Sequence, residues 1–308
     1  MKNLIAISGL LLLAACNASE DNPTRVHDLR LLDVQLEAPE LMADSCTTDP
    51  SNTSALIAFS QNVKFTALIA DPAGAGRDIQ YDVRACAWPG DRKCDSDTDS
   101  VAVKSGTTTE GELTFDFHPG TFLLPKRNNE PLLEEVVNQD TYKGLGGIRL
   151  PIVLHLKAGD EEIYATKLMV FSCKFFPEMN ANVTPIVPGL TLEGDEWDPA
   201  TPRALSGPGP FKILPDDFAD RQEEYTVPSF ELKPVHLKES WKIAWLTTEG
   251  RMSRSETGGT DVDGTENRHN VEWVPTSAAT AGEVTFYAVV RDGRGGTSWL
   301  IRKVQYTP

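Results

Sequence analysis

Cations, long apolar runs and, in its second half, cysteines are what this chain has little of. Lysine and arginine number 29 against 45 aspartates and glutamates in 308 residues, a net charge of −16. A surface of that sign is repelled by phosphate backbones and anionic headgroups, so nucleic acid is not an expected partner. Spanning a bilayer takes about 20 apolar residues in succession, and the apolar stretch Leu4 to Ala15 falls short of that. There is no Gly-x-Ser-x-Gly elbow, no phosphate-binding glycine loop and no dinucleotide fingerprint. The five histidines, His27, His118, His155, His236 and His269, do not stand at metal-ligand spacing. No catalytic, cofactor-binding or metal-binding residue is therefore expected, and no cofactor.

What is present begins at the N-terminus. Lys2 gives a positive start, Leu4 to Ala15 a short apolar core, and Leu13-Ala14-Ala15-Cys16 closes it before the polar Asn17-Ala18-Ser19-Glu20-Asp21-Asn22-Pro23. The layout is that of a secretory signal peptide. The closing tetrapeptide resembles the lipobox of bacterial lipoproteins. The resemblance implies cleavage before Cys16 and lipidation of that residue, palmitate included, with membrane attachment through the N-terminal lipid. Several acyl chains hold stably where one holds marginally, at about 0.8 kcal/mol per buried CH₂. Asn17, in place of the Asp that favours retention in the inner membrane, points to the outer membrane of the cell envelope.

With Cys16 assigned to lipid, four cysteines remain: Cys46, Cys86, Cys94 and Cys173. An even number in an oxidising compartment predicts two disulfides. A metal site is the alternative, but the seven residues between Cys86 and Cys94 are too many for a zinc knuckle, and no histidine lies close.

Alternation of apolar and polar residues runs through the chain, as antiparallel strands with one buried face require. It covers Asn62–Asp71, Asp78–Cys86, Ile148–Lys157 and Ile163–Phe171, with Pro151 implying a bulge or an edge position. Pro131–Gln139 reads as a short connecting helix. Beyond a linker, strands are expected at Thr184–Glu193, Glu224–Val235, Ser240–Thr248, Arg268–Val274, Glu283–Arg291 and Thr297–Thr307. The Pro/Gly-rich Asp198–Pro215 reads as loop, and Asp292-Gly293-Arg294-Gly295-Gly296 as a hairpin turn. The fold class is all-β. The divisions are 1–15 signal peptide, 16–27 lipidated tether, 28–175 first sandwich carrying the disulfides, 176–183 linker and 184–308 second sandwich. The order implies a stapled sandwich beside the anchor and an unstapled one held away from the membrane.

The phrases Glu239-Ser240-Trp241-Lys242-Ile243-Ala244-Trp245, Val271-Glu272-Trp273 and Phe286 to Trp299 resemble the last strands of an immunoglobulin-like domain. They are similar to sequences in two-domain surface lipoproteins of myxobacteria-like bacteria, and Phe65–Pro72 with Ile79–Cys86 resembles the first domain of those proteins. The resemblance implies two immunoglobulin-like β-sandwiches in tandem after a lipoprotein signal peptide, and brings no catalytic residues. In an immunoglobulin-like strand order the four cysteines gather at one pole. Sequence proximity then favours Cys86–Cys94 and leaves Cys46–Cys173.

Two acidic loops carry carboxylates that a hard cation uses: Asp95 to Ser100, and Asp261-Val262-Asp263-Gly264 with Glu266. Both depart from the calcium-loop pattern and read as solvated loops. Trp241, Trp245, Trp273 and Trp299 would make a sugar platform if exposed, but Trp245 and Trp241 are expected in the core and only Trp299 at the surface. The expected function is that of a non-enzymatic, lipid-anchored envelope protein acting as a structural or protein-interaction module. The alternative is a carbohydrate- or ligand-binding surface lipoprotein using the Asp198–Arg221 and Thr257–Asn267 loops.

Overall fold

A computed structural model describes residues 22–46, 54–87, 93–94, 100–109, 111–118, 132–142, 144–260, 262–265, 268–276 and 280–308. Residues 1–15, where a signal peptide is expected, Cys16 and Asp95–Asp99 lie outside the described residues. No described helix is long and apolar enough to cross a membrane.

The first domain runs through β1 (Arg30–Leu36), β2 (Glu40–Ala43), α1 (Ser54–Phe59), β3 (Val63–Ala70), β4 (Ile79–Cys86), β5 (Ser100–Thr108), β6 (Glu112–Phe117), α2 (Leu132–Gln139), β7 (Ile148–Ala158) and β8 (Glu161–Cys173). One sheet has the order β1-β3-β6, the other β2-β8-β7-β4-β5. Alternation puts Phe65, Val83, Leu154 and Met169 between them, all buried. The chain crosses between sheets within its first strand region: β1 pairs antiparallel with β3, and β2 pairs parallel with the last strand, Glu40 opposite Val170 and Ala43 opposite Cys173.

The second domain repeats the plan with β9 (Leu190–Leu192), β10 (Asp195–Glu196), β11 (Arg203–Ser206), β12 (Phe211–Pro215), β13 (Glu224–Pro228), β14 (Pro234–Lys238), β15 (Lys242–Thr247), β16 (Arg251–Met252), β17 (Glu256–Gly258), β18 (Val271–Val274), β19 (Gly282–Arg291) and β20 (Thr297–Thr307). Its sheets are β10-β9-β12-β18-β16 and β11-β20-β19-β15-β17, with β13-β14 a separate ribbon. Here too an early strand, β11, runs parallel to the last, β20. The other strand pairings in both domains are antiparallel, with β1, β3 and β6 (in the second domain β9, β12 and β18) in one sheet and β4, β7 and β8 (β15, β19 and β20) in the other. Both domains are immunoglobulin-like sandwiches. Gly293 and Gly295, at φ +82° and +111°, make the turn between β19 and β20.

Several strands depart from the alternation pattern. Asp198–Pro215 is not a loop: it holds β11 and the core strand β12, whose Phe211 and Ile213 are buried. Only Leu190–Leu192 of Thr184–Glu193 is strand, and Glu224–Val235 is a hairpin turning at Ser229–Lys233, not one strand. Pro151 lies without a bulge in the central strand β7. The ladder to β4 ends at Ile152, so one flank beside the proline is already unpaired.

Residues 22–26 are not a free tether. Val26 N donates to Thr247 O at 2.8 Å, Thr247 N to Thr24 O at 2.8 Å and Met252 N to Thr24 Oγ1 at 3.0 Å, so the segment lies as an added bridge on the second domain. Asn22 Nδ2 reaches Gly250 O, and Arg25 pairs with Glu249 at 2.7 Å. Val26 is fully buried. The described residues 22–26 thus lie against the second domain and not in the open ahead of the first.

Candidate interaction site at the domain junction

The domains lie side by side, β1 of the first against β20 of the second. Arg291 Nε donates to Asp33 Oδ2 at 2.6 Å, Lys167 Nζ to Thr297 Oγ1 at 3.0 Å and Trp299 Nε1 to Glu112 Oε1 at 2.6 Å. Burial pushes the Lys167 ammonium below its ordinary value, against the pull of Asp33 and Asp292. The linker takes part: Asn182 N donates to Glu40 Oε2 at 2.7 Å and Asn182 Nδ2 to Asp292 Oδ2 at 2.8 Å.

Arg294, at the tip of the β19–β20 turn, is the hub. Its guanidinium faces Glu223 and Glu239 at 3.3 Å each and Glu40 at 3.5 Å, and lies over the Tyr225 ring at 4.1 Å. Asp292 braces the turn by accepting from Arg294 N at 2.6 Å and Gly296 N at 2.9 Å. Burial raises both Asp292 and Glu239, and it outweighs the hydrogen bonds from Asn182 and Trp241 that favour their charged forms. A carboxyl group raised on folding contributes stability that is complete below its unfolded value and is lost as pH rises through the folded value. The melting temperature of the wild type, taken relative to Glu239→Gln, is therefore expected to fall as pH rises above the ordinary glutamate value of 4.5. A difference that stays flat above that value refutes the account.

Beside this hub a cleft of about 590 Å³ opens between the domains. Its floor is the outer face of β8, with Leu168 and Val170, and Arg149 from β7. Its roof is the β13–β14 ribbon, with Tyr225 and Phe230. Phe230 is 82% exposed, and its ring reaches within 6.1 Å of Tyr142 in the first domain. Arg149 has no ion-pair partner among the described residues.

The four cysteines are joined as Cys46–Cys173 and Cys86–Cys94, with Cα separations of 5.8 and 5.9 Å. Both bonds sit at one end of the five-stranded sheet, and Cys173 lines the cleft. Trp241, Trp245 and Trp273 are buried, their indole N–H groups satisfied by Glu239, Thr257 and Glu249. Trp299 is spent on the junction. No tryptophan platform for a sugar is thereby offered by these four. His155 stacks on Tyr164 at 4.2 Å and lies 2.7 Å from Glu162. His269 is buried between Thr257 Oγ1 and Asp263 O. Asp263 is held by Thr265, which lowers its carboxyl below the ordinary range, and Asp261 and Glu266 lie outside the described residues. The Arg294 hub and the hairpin roof are the features that sequence reasoning missed.

No protein-family profile and no curated protein matches the chain. Among solved structures it is similar to elastase-activated alpha-2-macroglobulin of Escherichia coli, at 10% identity and TM-score 0.25, over 92% of this chain and 22% of that one. It is also similar to a chimeric titin Z1Z2 tandem, at 5% identity and TM-score 0.21, over 91% of this chain and 100% of that one. The two tandem V-type regions of VCBP3, a v-region-containing chitin-binding protein, give 10% identity and TM-score 0.22, over 91% and 100%. The chain spans about a fifth of the macroglobulin. Likenesses this loose carry no argument, and the fold rests on the strand order above.

Proposed function

We propose that this chain is a non-enzymatic, lipid-anchored protein of the cell envelope whose paired immunoglobulin-like domains form a protein-interaction module. The observation that carries the reading is the exposed apolar rim of the junction cleft, Phe230 with Tyr142 and Phe175, on a surface otherwise dominated by acidic residues. Exposed apolar groups gathered at a cleft mark contact surfaces. The locked junction supports it, because a cleft walled by two domains keeps its shape only if the domains hold their relative position.

Position favours it too. Residues 22–26 leave the second domain at the Thr247–Gly250 turn, whereas the cleft lies at the Asp292–Gly296 turn. Thr247 pairs with Phe286, so these poles are about 20 Å apart along β19. An anchor at Cys16 would hold the cleft on the side away from the membrane. Metabolic labelling with palmitate is expected to tag the wild type, and Cys16→Ala to abolish the label and release the protein from the membrane fraction. A labelled or membrane-bound Cys16→Ala chain ends the anchoring proposal.

A further inference from the structure

We infer that the junction cleft takes an extended peptide as an added strand, with its main chain on the free edge of β13, apolar side chains on the outer face of β8 and a carboxylate on Arg149. This inference rests on the interaction-module reading and names the kind of partner.

Three observations lead to it. The first is a free strand edge. β13 pairs with β14 and with no other described strand. Glu239 N donates to Glu223 O and Ser229 N to Lys233 O, both at 2.9 Å, so the odd-numbered residues of β13 turn their main-chain groups to β14. By alternation Glu224 and Thr226 turn theirs the other way. Tyr225 to Pro228, four successive residues, line the cleft, as they do when a strand presents its edge and not one face. Unpaired edges accept strands, and main-chain hydrogen bonds then supply affinity while alternate side chains supply selectivity.

The second is the floor. Outer faces of sandwich sheets are ordinarily polar, but Leu168 and Val170 stand there at a spacing of two on β8. That spacing matches side chains at every second position of an added strand. The volume of about 590 Å³ is in the ordinary range of binding pockets.

The third is charge. Of the two arginines lining the cleft, Arg294 is saturated by carboxylates of the chain itself, while Arg149, opposite Val170 on the neighbouring strand, is unpaired among the described residues. In a protein of net charge −16, an unpaired arginine on an apolar floor selects for an anionic group locally. The occupant is therefore a peptide with apolar residues at alternate positions and one acidic group, side chain or C-terminus.

The test is selection of random dodecapeptides by display on the full chain, followed by fluorescence polarisation with the enriched peptides made synthetically. Arg149→Glu and Phe230→Ser are both exposed substitutions, and thermal melting confirms that each variant is folded. Enriched peptides are expected to bind each variant about tenfold more weakly than wild type, and to lose binding when alternate amides are N-methylated. Peptides indifferent to both substitutions overturn the cleft as the site and leave the interaction module standing. Binding that survives N-methylation of each of the two sets of alternate amides in turn overturns strand addition, since the set facing β13 must be the sensitive one. No enrichment at all overturns both the inference and the module reading.

Discussion

Arg294→Met is expected to destabilise the folded chain by about 3–5 kcal/mol, the range found when one partner of a buried ion pair is removed. The side chain balances Glu40, Glu223 and Glu239, whose carboxylates come from three separate segments. Glu239 is already held by burial in a raised state, so loss of the cation leaves it and Asp292 beside each other without compensation. Because Glu40 belongs to the first domain and the other two carboxylates to the second, the loss falls on the coupling between domains. Urea unfolding is expected to change from one transition to two. Arg294→Lys keeps the charge but not the planar stack on Tyr225 or the forked reach, and is expected to fall between the two. A loss under about 1 kcal/mol, the scale of a surface pair, would show that the hub is solvated in practice.

Cys173→Ser carries the other large effect. The loop-closure account gives about 5 kcal/mol for the Cys46–Cys173 bond, at a sequence separation of 127, and about 2.5 for Cys86–Cys94, at a separation of 8. Measured losses for native disulfides run at about 2–5 kcal/mol. The long bond also ties down β2, which pairs with β8 through only four residues and carries Glu40. Glu40 in turn accepts from Ser172 Oγ and Asn182 N, so freeing β2 loosens the linker and the Arg294 hub together. Calorimetry should place Cys173→Ser well below Cys94→Ser in melting temperature. The reverse order would mean that the short bond, not the long one, secures the domain.

The parts of the fold legible in the sequence are those where one face alone is buried over many residues. β15 alternates throughout, and β3, β4, β7, β8, β19 and β20 lie near their expected bounds although β3 and β7 also carry runs of four and five successive buried residues. β12 hides because Phe211 and Ile213 are only two buried apolar positions inside a run punctuated by Gly209, Pro210 and Pro215, where turn chemistry dominates the reading. The β13–β14 turn hides for the opposite reason. Ser229-Phe230-Glu231-Leu232-Lys233 has no glycine, and Leu232 itself adopts φ +55°, a conformation that side chains of its kind rarely take. The Arg294 site was half legible: its glycine turn was plain, but Glu223 and Glu239 meet only through the β13–β14 pairing, and Glu40 joins them only once the two domains pack. Charges in distant segments leave no periodic trace.

The segment 22–26 settles how a pull would travel. Its parallel pairing at Arg25 and Thr247, with a main-chain hydrogen bond on either side of Thr247, loads the second domain in shear through both bonds together before tension reaches β1. A drag force from an N-terminal attachment would therefore pass first into the domain that has no disulfide among the described residues. The stapled domain is sheltered from it for as long as the clasp holds. The clasp, closed only when the last-made domain has folded, is the mechanical fuse of the chain.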